Sequence, residues 1–266
     1  MRVTRIVGIS LVKDEDLFVE QALRNVLGFC DELILADDGS RDGTLAILER
    51  LAAEQPEKVR LHRIANPSQS HDLISGYAGH DVWVFGVDGD ELYDPKGLER
   101  FRPRLLGGEF DDWWLLRSNA LHALELDEQR RYALGYLSPP APSPVKLHNF
   151  ALIESWNGRH PERLHGTEGL RFKPGAEARK LHLGESQSWE TADLRVLHLC
   201  FVPRSSRGRA GAERANIKDM QAPRRWPSRV LRAARNALGQ PPPSEWKAHY
   251  RQGDVAEVPV GGFFGD

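Results

Sequence analysis

A chain of 266 residues with 40% hydrophobic content carries enough apolar material for one large α/β domain, or one domain with a smaller appendage, and this excludes wholesale disorder. A formal net charge of -2 gives no global basic character, so the totals demand neither nucleic acid nor an anionic membrane as a partner. Two cysteines, Cys30 and Cys200, supply neither a disulfide framework nor a zinc cluster; set among apolar neighbours, they read as buried thiols and fit a reducing cytoplasm.

In chain order, Arg5 to Val12 is an apolar, β-branched run of strand character. It is too short to span a bilayer and lacks a small-residue cleavage site. The stretch after it places Leu17, Phe18, Ala22, Leu23, Val26 and Leu27 on one helical face. "DELILA" is a second strand, and "TLAILERLAAE" a helix with Leu45, Ile47, Leu48, Leu51 and Ala52 at helical spacing. "VRLHRI" and "DVWVFGV" are the third and fourth strands, with a short helix over residues 72–77 between them. Strands alternating with helices imply right-handed crossovers and a parallel sheet, with ligands outside the strands' carboxyl ends. Beyond lie a helix from Pro95 to Leu106, strands at "WWLLRS", "VKLHNF" and "RVLHLCFV", and a proline-rich stretch from Tyr136 to Pro144 that reads as a loop or crossover.

Two acidic clusters close predicted strands. Asp37 and Asp38 open the turn "DDGSRDGT", and Asp88-Gly89-Asp90-Glu91 follows the fourth strand. The first also fits the ligand spacing of a calcium loop, through Asp38, Ser40, Asp42, Gly43, Thr44 and Glu49. A calcium hand needs an incoming helix, however, and "DELILA" has the length and composition of a strand. Carboxylates converging on one crevice repel, a pair at ~4 Å by about 4 kcal/mol at an effective dielectric near 20. Something positive is expected to bind among them.

These stretches together resemble a family 2 glycosyltransferase. "GISLVKDEDLFVEQAL" looks like the family's first strand with its "VKNE" variant, "LILADDGSRDGT" is close to its "VDDGSTDGT", and "VDGDE" is similar to its metal-binding "LDADE". The resemblance covers about the first 95 residues in the right order. It implies an α/β GT-A (Rossmann-like) fold: a mostly parallel central sheet flanked by helices, with a loop-rich and helical acceptor side. Residues 1–107 would be the nucleotide-sugar half, residues 108–202 the acceptor half and residues 203–266 a basic C-terminal segment. It further implies that Val12, Lys13 and Glu15 lie near the nucleotide base, that Asp38 contacts the base with Asp37 nearby, that Asp88 contacts ribose or metal, and that Asp90 ligates Mn2+ or Mg2+. Asp14 stands where the family usually has Asn, and the Arg or Lys often found before the fourth strand is missing. The implied reaction is inverting transfer of a sugar from a nucleoside diphosphate, commonly UDP, to an acceptor hydroxyl. A nucleotidyltransferase and a non-catalytic nucleotide-binding module are the alternatives; the former would want a glycine-rich loop after the first strand, and "SLVKDEDL" has no glycine.

For the general base, "ESWNGRHPERLHG" resembles the "G-x-(V/I)-H-E-x-L" stretch of glucosyltransferase-like relatives, with Pro161 inserted between His160 and Glu162. It nominates Glu162 as base and His160 as its companion on phosphate or acceptor; a loop of solvated charges is the plain alternative. A zinc reading of His160, Glu162 and His165 lacks the helical i, i+4 spacing. His198, in the apolar strand "RVLHLCFV", is either a core histidine or the late-chain histidine that completes a GT-A metal site. Trp113, Trp114, Trp156 and Trp189 are either core or stacking platforms for an acceptor.

Between Arg195 and Arg251 stand 13 Lys and Arg against three acids, a local charge of about +10. On "WPSRVLRAARNAL", Trp226, Val230, Leu231, Ala234 and Leu238 form a stripe beside Arg229, Arg232 and Arg235. The pattern suits peripheral attachment at an inner membrane face bearing a lipid-linked acceptor, a phosphate track for modified nucleic acid, or simple packing with the arginines in solvent.

Overall fold

The computed structural model describes residues 3–129, 131–144, 147–157, 164, 169–207 and 247–265. Strand β1 (Arg5–Val12) runs into α1 (Val19–Leu27), then come β2 (Glu32–Asp37), α2 (Thr44–Glu54), β3 (Val59–Arg63), α3 (Gln69–Ser75) and β4 (Val82–Gly86). This is the alternation expected from the hydrophobic periodicity. A short β5 (Glu91–Tyr93) leads to α4 (Pro95–Leu106), where Asp94 caps the helix by accepting from the Lys96 N–H and Pro95 takes the first turn, in which no amide donor is needed. Then follow β6 (Leu115–Arg117), β7 (Asn119–Asp127), β8 (Tyr132–Ser138), β9 (Leu147–Asn149), β10 (Ile153–Trp156), β11 (Leu170–Phe172), β12 (Lys180–His182), β13 (Arg195–His198) and β14 (Val255–Pro259).

A seven-stranded sheet has the order β12-β6-β9-β4-β1-β2-β3, with β1 parallel to β2 and β4, β2 parallel to β3, and β9 alone running antiparallel to its neighbours β4 and β6. This is the mostly parallel α/β sheet the sequence implies. Its central strand is buried on both faces because alternate residues serve different cores. Ile6 and Val12 pack with α1, α2 and α4 residues such as Leu23, Leu48 and Phe101; Val7 and Ile9 pack with Ile74, Trp114, Phe150 and Trp156. A second sheet, β14-β8-β7-β13-β5, carries its own core of Leu92, Leu121, Leu197, Trp189 and Phe263.

Three readings change. The proline-rich stretch is a loop only from Pro139 onward, because its first residues complete β8 and pair with β7 across a hairpin that the periodicity did not suggest. Leu17 precedes α1 and is exposed, since the helix starts at Val19 and leaves Leu17 out of phase. The strand at "WWLLRS" begins after both tryptophans; Trp114 is buried against Phe150 and Phe172, and Trp113 lies beneath the Arg179 guanidinium, which fits packing for both. Among the described residues no helix is long and apolar enough to cross a membrane. The basic stretch at 226–238 lies outside the described residues, as do His160, Glu162 and His165.

Asn25 ties α1 to β5 and to the segment after β14. From the buried face of α1, its Nδ2 donates to the carbonyls of Tyr93 and Phe263, each at 2.8 Å, and its Oδ1 accepts from Gln21. Asn25→Ala leaves two buried carbonyls without that donor and is expected to destabilise the chain by about 2–4 kcal/mol. Asn25→Leu should fare no better, as it restores volume but not donors; urea unfolding of both variants against wild type measures this.

Candidate active site

Register places the acidic clusters on one rim. Val12 stands beside Asp37 where β1 and β2 end, and the Val87 N–H donates to the Ile9 carbonyl as β4 leaves the sheet. The carboxyl ends of three neighbouring parallel strands therefore deliver residues 13–16, Asp37 with Asp38, and Asp88 to Glu91 to a common edge. Asp14, Glu15, Asp37, Asp90 and Glu91 are all buried there.

Each of these acids has a distinct local task. Asp37 accepts from the backbone N–H groups of Gly39 and Ser40, so its carboxylate shapes the turn. Asp38 is ion-paired to Lys13, whose Nζ lies 3.1 Å from its Oδ2 and 2.7 Å from its carbonyl. Asp14 sits in the left-handed region at φ 52° and accepts from the Arg41 N–H at 2.6 Å, joining the β1 loop to the β2 turn. Asn tolerates that backbone as readily as Asp, so the departure from the family's usual residue leaves the local geometry available. Within the second cluster, the Glu91 carboxylate accepts from the Asp88 N–H, closing the turn that aims Asp88 and Asp90 at the rim. Gly89 between them leaves little room for a side chain: an added Cβ would press on the buried Glu15 carboxylate.

The chain itself also brings positive charge to these acids. Arg204, six residues beyond His198, is buried with its NH1 2.8 Å from Asp90 Oδ2 and 3.2 Å from Glu15 Oε1. Lys247 Nζ lies 3.8 Å from the same Asp90 oxygen. Residues 204–207 form a strap across the rim. The Arg204 carbonyl accepts from the Leu17 N–H, Ser205 Oγ donates to Asp42, the Ser206 N–H donates to Asp16, and Arg207 donates to the Arg41 carbonyl. Burial raises the Asp42 pKa, but hydrogen bonds from Ser205 and Thr44 outweigh it and hold the carboxyl below its ordinary range. The strap thus binds the ionised form: its contribution at Asp42 is complete above the ordinary carboxylate range and is lost as pH falls through the lowered value.

No single-sequence signal separates Arg204 from the other basic residues of the tail; only the return of the chain to the rim does. His198, the other late-chain candidate, ends β13 directly beside His122 of β7 and Glu91 of β5. Its ring Nδ1 is 2.9 Å from that of His122. Trp156 and Trp189 are buried, Trp156 against His71 and Phe150 and Trp189 against Phe263, as core residues rather than exposed platforms.

The rim lies within residues 11–120, and that stretch matches the family described as glycosyl transferase family 2. This segment is similar to glycosyltransferase family 2. Beyond it, solved structures similar to the chain include Staphylococcus aureus TarS, at 15% identity over 56% of this chain and 29% of that one, with a TM-score of 0.39. Glucosyl-3-phosphoglycerate synthase from Mycobacterium tuberculosis, crystallised with Mn2+ and UDP-glucose, is 19% identical over 44% of each chain, with a TM-score of 0.33. The chain spans less than half the length of both proteins. No curated protein matches it. In the family 2 segment, Asp88 and Asp90 offer hard oxygen donors at a strand's carboxyl end, cradled by Gly89, a donor set that suits Mg2+ or Mn2+.

Arg204→Ala strands Asp90 and Glu15 with a lost partner and is expected to cost about 3–5 kcal/mol in urea unfolding. Gly89→Ala forces Glu15 aside and should cost about 1–3 kcal/mol; in both variants a loss within error of zero would mean the rim is looser than these distances state.

Proposed function

We propose that this chain is a glycosyltransferase that moves a sugar from a nucleoside-diphosphate donor to an acceptor hydroxyl with inversion. The observation that supports it most directly is the coincidence of the family 2 segment with a rim where three parallel strands converge their acids. In this reading Val12, Lys13, Glu15, Asp37 and Asp38 border the nucleotide, with UDP the expected base. Lys13 is held on Asp38 among them.

Asp88 and Asp90 are the proposed ligands of Mn2+ or Mg2+. When bound, the ion would offset charge growing on the departing diphosphate. Arg204 and Lys247, beside Asp90, are the chain's own groups for the same charge. By resemblance, Glu162 takes the acceptor proton and His160 accompanies it. We further propose that residues 1–107 form the donor half and residues 108–202 the acceptor half, and that the basic segment within 203–266 meets the acceptor or the surface bearing it. A glycan, a lipid-linked sugar and a modified nucleic acid all present a suitable hydroxyl.

One observation favours a second reading, a non-catalytic nucleotide-binding module: Arg204 already neutralises Asp90, so diphosphate binding does not require an added ion. A thermal-shift panel of UDP, GDP, CDP and dTDP, each with and without Mn2+ or Mg2+, together with an assay of donor hydrolysis, separates the two. The proposal expects one nucleotide to stabilise the chain only with metal, by about 2.7 kcal/mol at ~100 Kd, and the donor sugar to be released. Asp90→Ala should abolish the metal-dependent part, and Glu162→Gln should spare binding while lowering turnover by ~10²–10⁴. Metal-independent stabilisation without hydrolysis supports the module, and indifference to every nucleotide defeats both.

A further inference from the structure

Behind the rim, on the second sheet, three side chains with metal-ligating atoms meet in the interior. His122 of β7 and His198 of β13 are side by side in the parallel register, and Cys200 follows two residues after His198. All three are buried, and a ring nitrogen of each imidazole and the Cys200 sulfur lie within 4.8 Å of one another. We propose that His122, His198 and Cys200 form a site for a soft divalent transition metal of the zinc type, separate in its ligand chemistry from the carboxylates of the rim.

Proton placement at the histidines carries the argument. His122 Nε2 is 2.8 Å from the Pro142 carbonyl, which can only accept, so that nitrogen holds the proton. In that tautomer the Nδ1 presents a lone pair. That lone pair faces His198 Nδ1 at 2.9 Å. Two ring nitrogens at this distance need either a proton or a cation between them. A hydrogen bond satisfies the pair alone; a cation also accounts for the sulfur beside them. Two nitrogens on one tetrahedral zinc stand ~3.3 Å apart, a few tenths of an ångström more than is seen here. The Pro142 carbonyl is the kind of outer partner that fixes the tautomer of a ligating histidine.

The ligand set selects the ion. One thiolate and two imidazoles suit zinc and its neighbours, whereas Mg2+ and Mn2+ prefer oxygen. Metal binding would break the Cys200 S–H bond, form the metal–sulfur bond and release one proton to solvent, with no change of oxidation state. Three protein ligands leave one tetrahedral position for water or a neighbouring group. Tyr250 closes over the cluster, stacked on His122 at 4.2 Å and edge-on to His198 at 5.2 Å, while Lys247 donates to the Cys200 carbonyl. A metal here would pin β7, β13 and the returning residues 247–250 together. It would also draw His198 away from the Mn2+ or Mg2+ set that the resemblance implies.

The test uses the full chain, stripped with chelator and titrated with Co2+ in the absence of nucleotide, so its result does not depend on glycosyl transfer. The expected result is stoichiometric binding with a thiolate-to-cobalt charge-transfer band, displaced by Zn2+ and resistant to excess Mn2+. Cys200→Ser should lose the band and Cys30→Ser should keep it. His122→Gln should weaken zinc by more than the ~10–100-fold that loss of an outer partner costs. No charge-transfer band in wild type, a band that survives Cys200→Ser, or displacement by Mn2+ as readily as by Zn2+ overturns the proposal. Should Cys200→Ser fail to fold, the wild-type and Cys30→Ser spectra still decide it.

Discussion

The Arg204 guanidinium is the charge on which the acidic rim depends. Asp90 and Glu15 are buried at the ends of different strands, each with the Arg204 guanidinium within reach, where an unpaired charge would be costly. Arg204 meets both through the one nitrogen NH1, which lies between the two carboxylates. The strap that carries it then uses Ser205, Ser206 and Arg207 to hold the β1 loop and the β2 turn in the same frame. A residue more than a hundred positions from Asp90 thus sets the electrostatics of a motif that looks local in the sequence.

If the proposed divalent ion binds, the rim would have two states with different counterions. With Arg204 on Asp90, the carboxylates are neutralised from within. If the proposed divalent ion takes them, Arg204 and Lys247 are released toward whatever anion accompanies it. Coupling of this kind needs no long-range pathway, because the competing cations share one oxygen, Asp90 Oδ2. The motif also sits where the fold changes sheets: β4 brings Asp88 out of the seven-stranded sheet, and β5 carries the chain on to the edge of the five-stranded one, beside β13. Groups from both sheets can therefore act on the same place, and the histidine pair of β7 and β13 lies just across that seam.

Legibility divides along physical lines. The first four strands, the helices between them and the capped α4 were readable because each has strong periodicity and local punctuation: Pro95 at the helix start, glycines in the turns, and β-branched runs of strand length. The β7–β8 hairpin was not, because "NALHALELD" alternates imperfectly, carries a bulge between Ala123 and Glu125, and takes its partner from a segment whose prolines suggest a loop. Asp37 reads in the sequence as part of a ligand cluster, yet its oxygens serve the turn; the two roles have one signature, since both favour an aspartate at the end of a strand.

By itself the sequence determined that parallel strands end in carboxylates and that these ends form one crevice, because a period of two in strands, a period near 3.6 in helices and right-handed crossovers leave little other choice. It also determined the need for positive charge, since like charges repel wherever they are brought together. Which cation reaches these acids, and that His122 comes to stand beside His198 and Cys200, only the tertiary structure decided. Those contacts join residues 76 to 189 positions apart, and no local spacing encodes the place to which a loop returns.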